Sequence, residues 1–246
     1  MDASPSRSDG VQIPPYRDHL GRSRQYLRDI ILGVNDGLVS MFLLVAGVVG
    51  GTMTTEQVLL AGIAGALAGA ISMAAGEYLA TKSQDQAFQA ELELEAEHLR
   101  WYRDREVEEL REMFTTMGLS GDELETVVEI IDGNDEAMIQ MMAGLEFGIV
   151  EHERRNPYVA AVYSGLLFIA GSLPPVLPFV FDVSPGSGLA WAAAATGIAL
   201  FIVGAMKTLM TRRSMLRSGL ENLAIGFGGA VLSYLVGRAF GATILG

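Results

Sequence analysis

The chain has 246 residues, half of them hydrophobic, a mean hydropathy of +0.32, 29 acidic against 17 basic residues, and no cysteine. The lack of cysteine excludes a disulfide framework and a thiolate metal site, and the acidic balance gives no support to nucleic-acid binding. Apolar residues gather in five blocks, roughly 30–50, 57–80, 158–181, 188–210 and 221–245, each near the ~20 residues a helix needs to cross about 30 Å of hydrocarbon. The expected fold class is an all-α membrane protein with five transmembrane helices and a three-helix cytoplasmic metal-binding domain inserted between the second and third.

Residues 1–24 are polar and lack the apolar core of a cleavable signal peptide, so a flexible tail is expected there. The first apolar block contains Asn35 and Asp36, flanked by Gly33 and Gly37. A carboxylate at membrane depth costs several kcal/mol, roughly 3 on insertion scales, unless it is paired, protonated or bound to a cation. Asp36 is therefore the first candidate for an ion or proton site. Asn35 offers a neutral oxygen beside it, and the two glycines let other backbones come close. The second block aligns Ala61, Gly65, Gly69 and Met73 on one stripe, and Glu77 follows one turn later near the end of the block. Taken singly, Met73 fits ordinary packing and Glu77 a carboxylate that reaches water. Together with Asp36 they can form a graded path, and Asp29 and Glu221 lie near the same boundary.

Residues 82–156 form a charged insertion: 20 of the 29 carboxylates fall between Asp85 and Glu153. No Pro or Gly interrupts Thr81 to Met117, so one long helix continuous with the second span is expected, ended by Gly118. Ser120-Gly-Asp-Glu123 reads as a capping box opening a second helix that stops near Gly133. Asn134 caps a third, running to about Arg155 before Pro157. On the first helix Glu91, Glu95, His98, Glu106 and Glu109 can share one broad face; on the third, Met138, Met141, Met142 and Glu146 are neighbours. Carboxylates, an imidazole and thioethers suit a first-row divalent metal. The same charge run also suits a solvated acidic helix, with Glu93, Glu97, Glu108 and Glu112 on its wet side and Arg100, Arg103 and Arg105 as ion-pair partners. Glu95-Ala-Glu-His98 is a Glu-x-x-His step, yet His19 and His152 lack the second such step that a di-iron bundle requires.

The third apolar block carries Pro174, Pro175 and Pro178, which predict a kink or break. Sixteen of the 17 basic residues fall on one side of a five-span arrangement, in the N-terminal tail, the insertion and the link after the fourth block. The links 51–57 and 182–188 hold none. This asymmetry places the N-terminus and the insertion in the cytoplasm and the C-terminus outside. The expected organisation is a tail over 1–24, two spans within 25–81, the insertion over 82–156 and three spans within 157–246.

Three segments, Arg28–Ser40 with its Asn35-Asp36-Gly37, Ser72-Met-Ala-Ala-Gly-Glu-Tyr78, and Arg213–Glu221, together resemble the signature segments of the vacuolar iron transporter family. The resemblance covers nearly the whole chain after about residue 24. It implies a homodimer that exports Fe2+, and often Mn2+, from the cytoplasm in exchange for protons, with no prosthetic group. It implies a path at the dimer interface lined by Asp36 and Met73, and a cytoplasmic domain whose ligands fall on Glu95, Glu106, Glu109 and Glu146, with Met142 as a sulfur ligand. One further family glutamate falls on His98, a departure that bears on ligand count and metal preference. The chain has no vacuolar-sorting extension in its N-terminal segment, which suits a prokaryotic plasma membrane; a eukaryotic chain would sit in the vacuolar membrane. The competing reading is a membrane-anchored metal storage or sensor protein whose spans only anchor. Asp36 argues against it, because an anchor has no need of a charge.

Overall fold

The computed structural model describes residues 23–146, 155–208 and 214–244. The expected tail over 1–24 falls almost wholly outside them, as does the end of the third insertion helix. The described residues form eight α-helices and no strand: α1 (Ser23–Gly50), α2 (Thr55–Trp101), α3 (Arg103–Thr116), α4 (Gly121–Asp132), α5 (Asp135–Glu146), α6 (Pro157–Val176), α7 (Pro185–Met206) and α8 (Met215–Ile244). Five of these, α1, α2, α6, α7 and α8, are long and apolar enough to cross a membrane.

The starts of these helices follow their sequences. Thr54 and Gln57 close a reciprocal capping box on α2. Asn156 Oδ1 accepts from the Tyr158 and Val159 N–H groups, and Pro157 takes the first position of α6, where no N–H is needed. The proline-rich end of α6 gives way to a 3₁₀ turn over Leu177–Val180, which is the expected break in its observed form.

The first helix, α1, is the hub of the bundle and contacts α2, α6, α7 and α8. Met41 and Val45 share a core with Val58 and Ala70 of α2, Phe168 and Val176 of α6, and Phe179. Leu38 packs with Leu200 of α7, and the ring of Phe42 meets that of Phe227 edge-on at 5.3 Å. Backbone approach makes this packing possible. A methyl group at Gly37 would strike the Phe168 carbonyl oxygen, and one at Gly171 would strike the Val34 carbonyl oxygen.

The insertion departs from the expected single helix over 82–117. The helix breaks at Tyr102 (φ −133°, ψ 33°), and α3 turns back. No Gly or Pro marks the place; tertiary packing decides it. The bend carries Leu110 and Phe114 into one core with Leu99, Leu124, Val128, Ile131, Met138 and Met142, and Arg103 at the turn pairs with Asp132 and Asp135 at 2.8 Å each. Gly118 does end α3 as expected, at φ +103°, with the Gly118 N–H donating to Thr115 and the Leu119 N–H to Phe114. Ser120 stands at the start of α4, but its hydroxyl caps nothing, so the expected capping box is not formed. Asn134 caps α5 through the N–H groups of Glu136 and Ala137.

Gly171→Val is expected to destabilise the chain by about 3 kcal/mol, the upper end of overpacking, because backbone faces it. Gly186→Ala, where nothing lies within 4 Å, is expected to leave stability unchanged or slightly higher. Thermal unfolding of the two variants in detergent, followed by size exclusion, checks the contrast.

Candidate metal centre

The bend at Tyr102 has a chemical result. It places Glu106, on the first turns of α3, against the last turns of α2. Glu95, His98 and Glu106 each offer a ligand atom, and these atoms lie within 4.8 Å of one another. His98 Nδ1 is 3.4 Å from Glu106 Oε1. The spacing on one straight helix pointed to these residues, but the meeting occurs across a turn between two helices. Glu95 and Glu106 are 5% and 4% exposed, whereas His98 keeps one side open to solvent.

This part of α2 lies well outside any bilayer. About 20 residues satisfy the hydrocarbon thickness, the apolar run ends near residue 80, and Glu95 stands fifteen positions further along, about 22 Å of helix. The polar domain supplies the rest of the environment. Burial pushes the Glu95 carboxyl up to about 7, with Glu106, Glu146 and Glu109 adding negative charge and Glu146 a hydrogen bond. Burial likewise raises Glu106, with His98 opposing the rise and Glu109 and Glu146 adding to it. Two carboxylates withdrawn from water beside two more repel one another, and a divalent cation would relieve all of this at once.

The candidate ligands therefore divide. Glu95, His98 and Glu106 converge. Glu109 and Glu146 act on them electrostatically from a half-buried and an exposed position. Met142 is fully buried in the apolar core with Leu99 and Met138. Glu91 has no described contact with the cluster. Oxygen donors with one imidazole fit Mn2+ or Fe2+.

The expected path residues lie elsewhere, on α1 and α2. Asp36 is exposed on the side of α1, and the Ser40 hydroxyl donates back to its carbonyl oxygen. Met73 is half-buried against the core that contains Phe168. Asn35 Oδ1 accepts from Asn222 Nδ2 at 2.7 Å. Asn222, 3% exposed, also donates to the Leu200 carbonyl at 3.0 Å and accepts from Lys207 Nζ at 3.1 Å. Glu77 does not simply reach water. It lies 3.5 Å from Arg155 Nη1 and accepts from Thr81 at 3.5 Å. Arg155 also pairs with Asp29. Sequence reasoning missed Asn222 and Arg155. An asparagine in an otherwise apolar span was the available signal for Asn222. Arg155 carried no comparable signal, since an arginine beside a span also serves as a plain topological charge.

A sequence profile described as the VIT family matches residues 27–238. The chain is 34% identical to "Vacuolar iron transporter 2" of Oryza sativa subsp. japonica, across 82% of each chain. It is 33% identical to "Vacuolar iron transporter 1" of Arabidopsis thaliana, across 82% of this chain and 81% of that one. It is 26% identical to "Protein CCC1" of Saccharomyces cerevisiae, across 81% of this chain and 64% of that one. With five apolar helices, these matches make the chain an integral membrane protein.

The raised carboxyl of Glu95 sets a pH dependence. Between its ordinary value of 4.5 and about 7, the folded chain holds a proton that the unfolded chain releases, so stability rises as pH falls through that window. Metal-free protein is expected to melt higher at pH 5.5 than at pH 8, and Glu95→Gln is expected to flatten that slope. Thermal unfolding at both pH values with a chelator present checks it.

Proposed function

The chain belongs to the VIT family, and on that premise we propose that it moves Fe2+ and Mn2+ out of the cytoplasm in exchange for protons. It is a membrane transporter, not an enzyme. The observation that carries the reading is the position of Asp36. It stands nine residues into the 24-residue apolar span of α1, about 14 Å from the start of that span, and its side chain faces out of the single chain.

Lipid on that face would leave the charge without partners. A second copy of the chain, arranged as a homodimer, would instead enclose Asp36, Met73 and water in a shared path. A carboxylate there binds either a proton or a metal ion, because a ligand must lose its proton to coordinate. Metal arriving from the polar domain displaces the proton, and release on the far side lets a proton return. Proton entry thus drives metal exit. Glu95, His98 and Glu106 collect the cargo, with Glu109 and Glu146 supplying negative potential around them. The basic residues orient the chain with this domain in the cytoplasm, in a prokaryotic plasma membrane.

Two features give the spans a means of changing their packing. One is the contact of α1 with α6 through glycine at Gly37 and Gly171; the other is the passage of α6 into a 3₁₀ turn. Such joints suit the alternating exposure of a fixed site.

Asp36→Ala is expected to abolish Mn2+ and Fe2+ flux into proteoliposomes carrying an imposed pH gradient, with monodispersity and melting temperature retained. Wild-type flux in that variant excludes the mechanism. Absence of flux in the wild type under any gradient favours the storage reading instead.

A further inference from the structure

We propose that Arg155 is a gate: its guanidinium is a resident counter-ion that occupies the mouth of the path and must be displaced by the divalent cargo. The inference rests on the transport reading above and adds to it a residue that controls access.

The geometry begins with two carboxylates on different helices. Asp29 lies seven residues before Asp36 on α1, two helical turns and about 10 Å along the same face. Glu77 lies one turn after Met73 on α2. They therefore stand on the polar-domain side of the two path residues, where cargo from Glu95 and Glu106 would arrive. Arg155 reaches both: one terminal nitrogen pairs with Asp29, and the other is 3.5 Å from Glu77 Oε1. Its backbone is held at the start of α6, because the neighbouring Asn156 caps that helix. The guanidinium thus bridges α1, α2 and α6 at one point.

Charge counting favours a divalent ion over a monovalent one at this place. Two carboxylates and one guanidinium leave a net charge of −1. A monovalent cation that replaced the guanidinium would leave the same −1 and gain nothing. A divalent cation would bring the pair to neutrality. The displaced side chain has somewhere to go: it is 30% exposed, and Asp29 and Glu77 are 26% and 31% exposed. The exchange is a swap of cations on fixed oxygen ligands, with no bond made or broken in the chain.

The test is equilibrium binding of Mn2+ to the full chain in detergent, read by electron paramagnetic resonance, with flux measured separately. Arg155→Gln is expected to bind Mn2+ at Asp29 and Glu77 severalfold more tightly than wild type, with the same number of ions at saturation, and to lose one ion per protomer when Glu77→Gln is added. Its KM for flux is expected to fall severalfold. A residue that only ties helices together would lower the maximal rate and leave the Mn2+ affinity unchanged. Unchanged Mn2+ affinity in a monodisperse Arg155→Gln chain overturns the proposal. A further measurement uses wild type alone and does not depend on how the variant folds: phenylglyoxal labelling of Arg155, followed by mass spectrometry, is expected to rise severalfold when Mn2+ saturates the chain. Labelling that stays level or falls overturns the gate. Loss of the transport reading would appear separately, as absence of wild-type flux with these binding results intact.

Discussion

Carboxylates repel one another more strongly as water is withdrawn from them, and the polar domain is built around such a pair. Glu95 and Glu106 are buried side by side, with Glu109 and Glu146 adding to the negative field and the His98 imidazole beside them. An apolar core would be easier to form here. The arrangement persists because the bend at Tyr102 also buries Leu110 and Phe114 and pairs Arg103 with Asp132 and Asp135. Packing energy holds the carboxylates where their own charges oppose it. What remains is a crowd of carboxyl groups withdrawn from water.

The same logic recurs at the bundle. Asp29 and Glu77 meet Arg155, so the repulsion there is already relieved by a side chain of the protein. Further in, Asn222 hydrogen-bonds with Asn35, Lys207 and the Leu200 carbonyl, while the Asp36 side chain turns outward. Polar groups within a bilayer are costly unless partnered. The three positions thus differ in what stands beside the negative charge: an arginine at Asp29 and Glu77, further carboxylates and one imidazole at Glu95 and Glu106, and an outward-facing side chain at Asp36.

Much of this was legible in the sequence. Apolar block length gave the five long helices, and Pro174, Pro175 and Pro178 marked the place where α6 changes to a 3₁₀ turn. Gly118 and Asn134 announced their caps through known local hydrogen bonds. Glu95, His98 and Glu106 were identifiable as a group, but for a reason the fold only partly shares. The helix period suggested one face, whereas the residues meet across a turn. That turn was not legible, because no local residue requires it and the return of α4 and α5 imposes it. Ser120 shows the reverse failure: the local pattern for a cap was present, and Gly121 at φ +63° carried the backbone into another geometry. The roles of Asn222 and Arg155 depend on contacts 187 and 126 positions away in the chain, beyond any local pattern.

If the buried carboxylates of the polar domain exist to take a divalent cation, that cation should be visible among them. Anomalous diffraction from crystals of the full chain soaked in Mn2+ reads this without an intermediary. A manganese peak is expected within coordination distance of Glu95, His98 and Glu106. Crystals that bind manganese elsewhere, or nowhere, while the same preparation transports it, would contradict that role for the cluster.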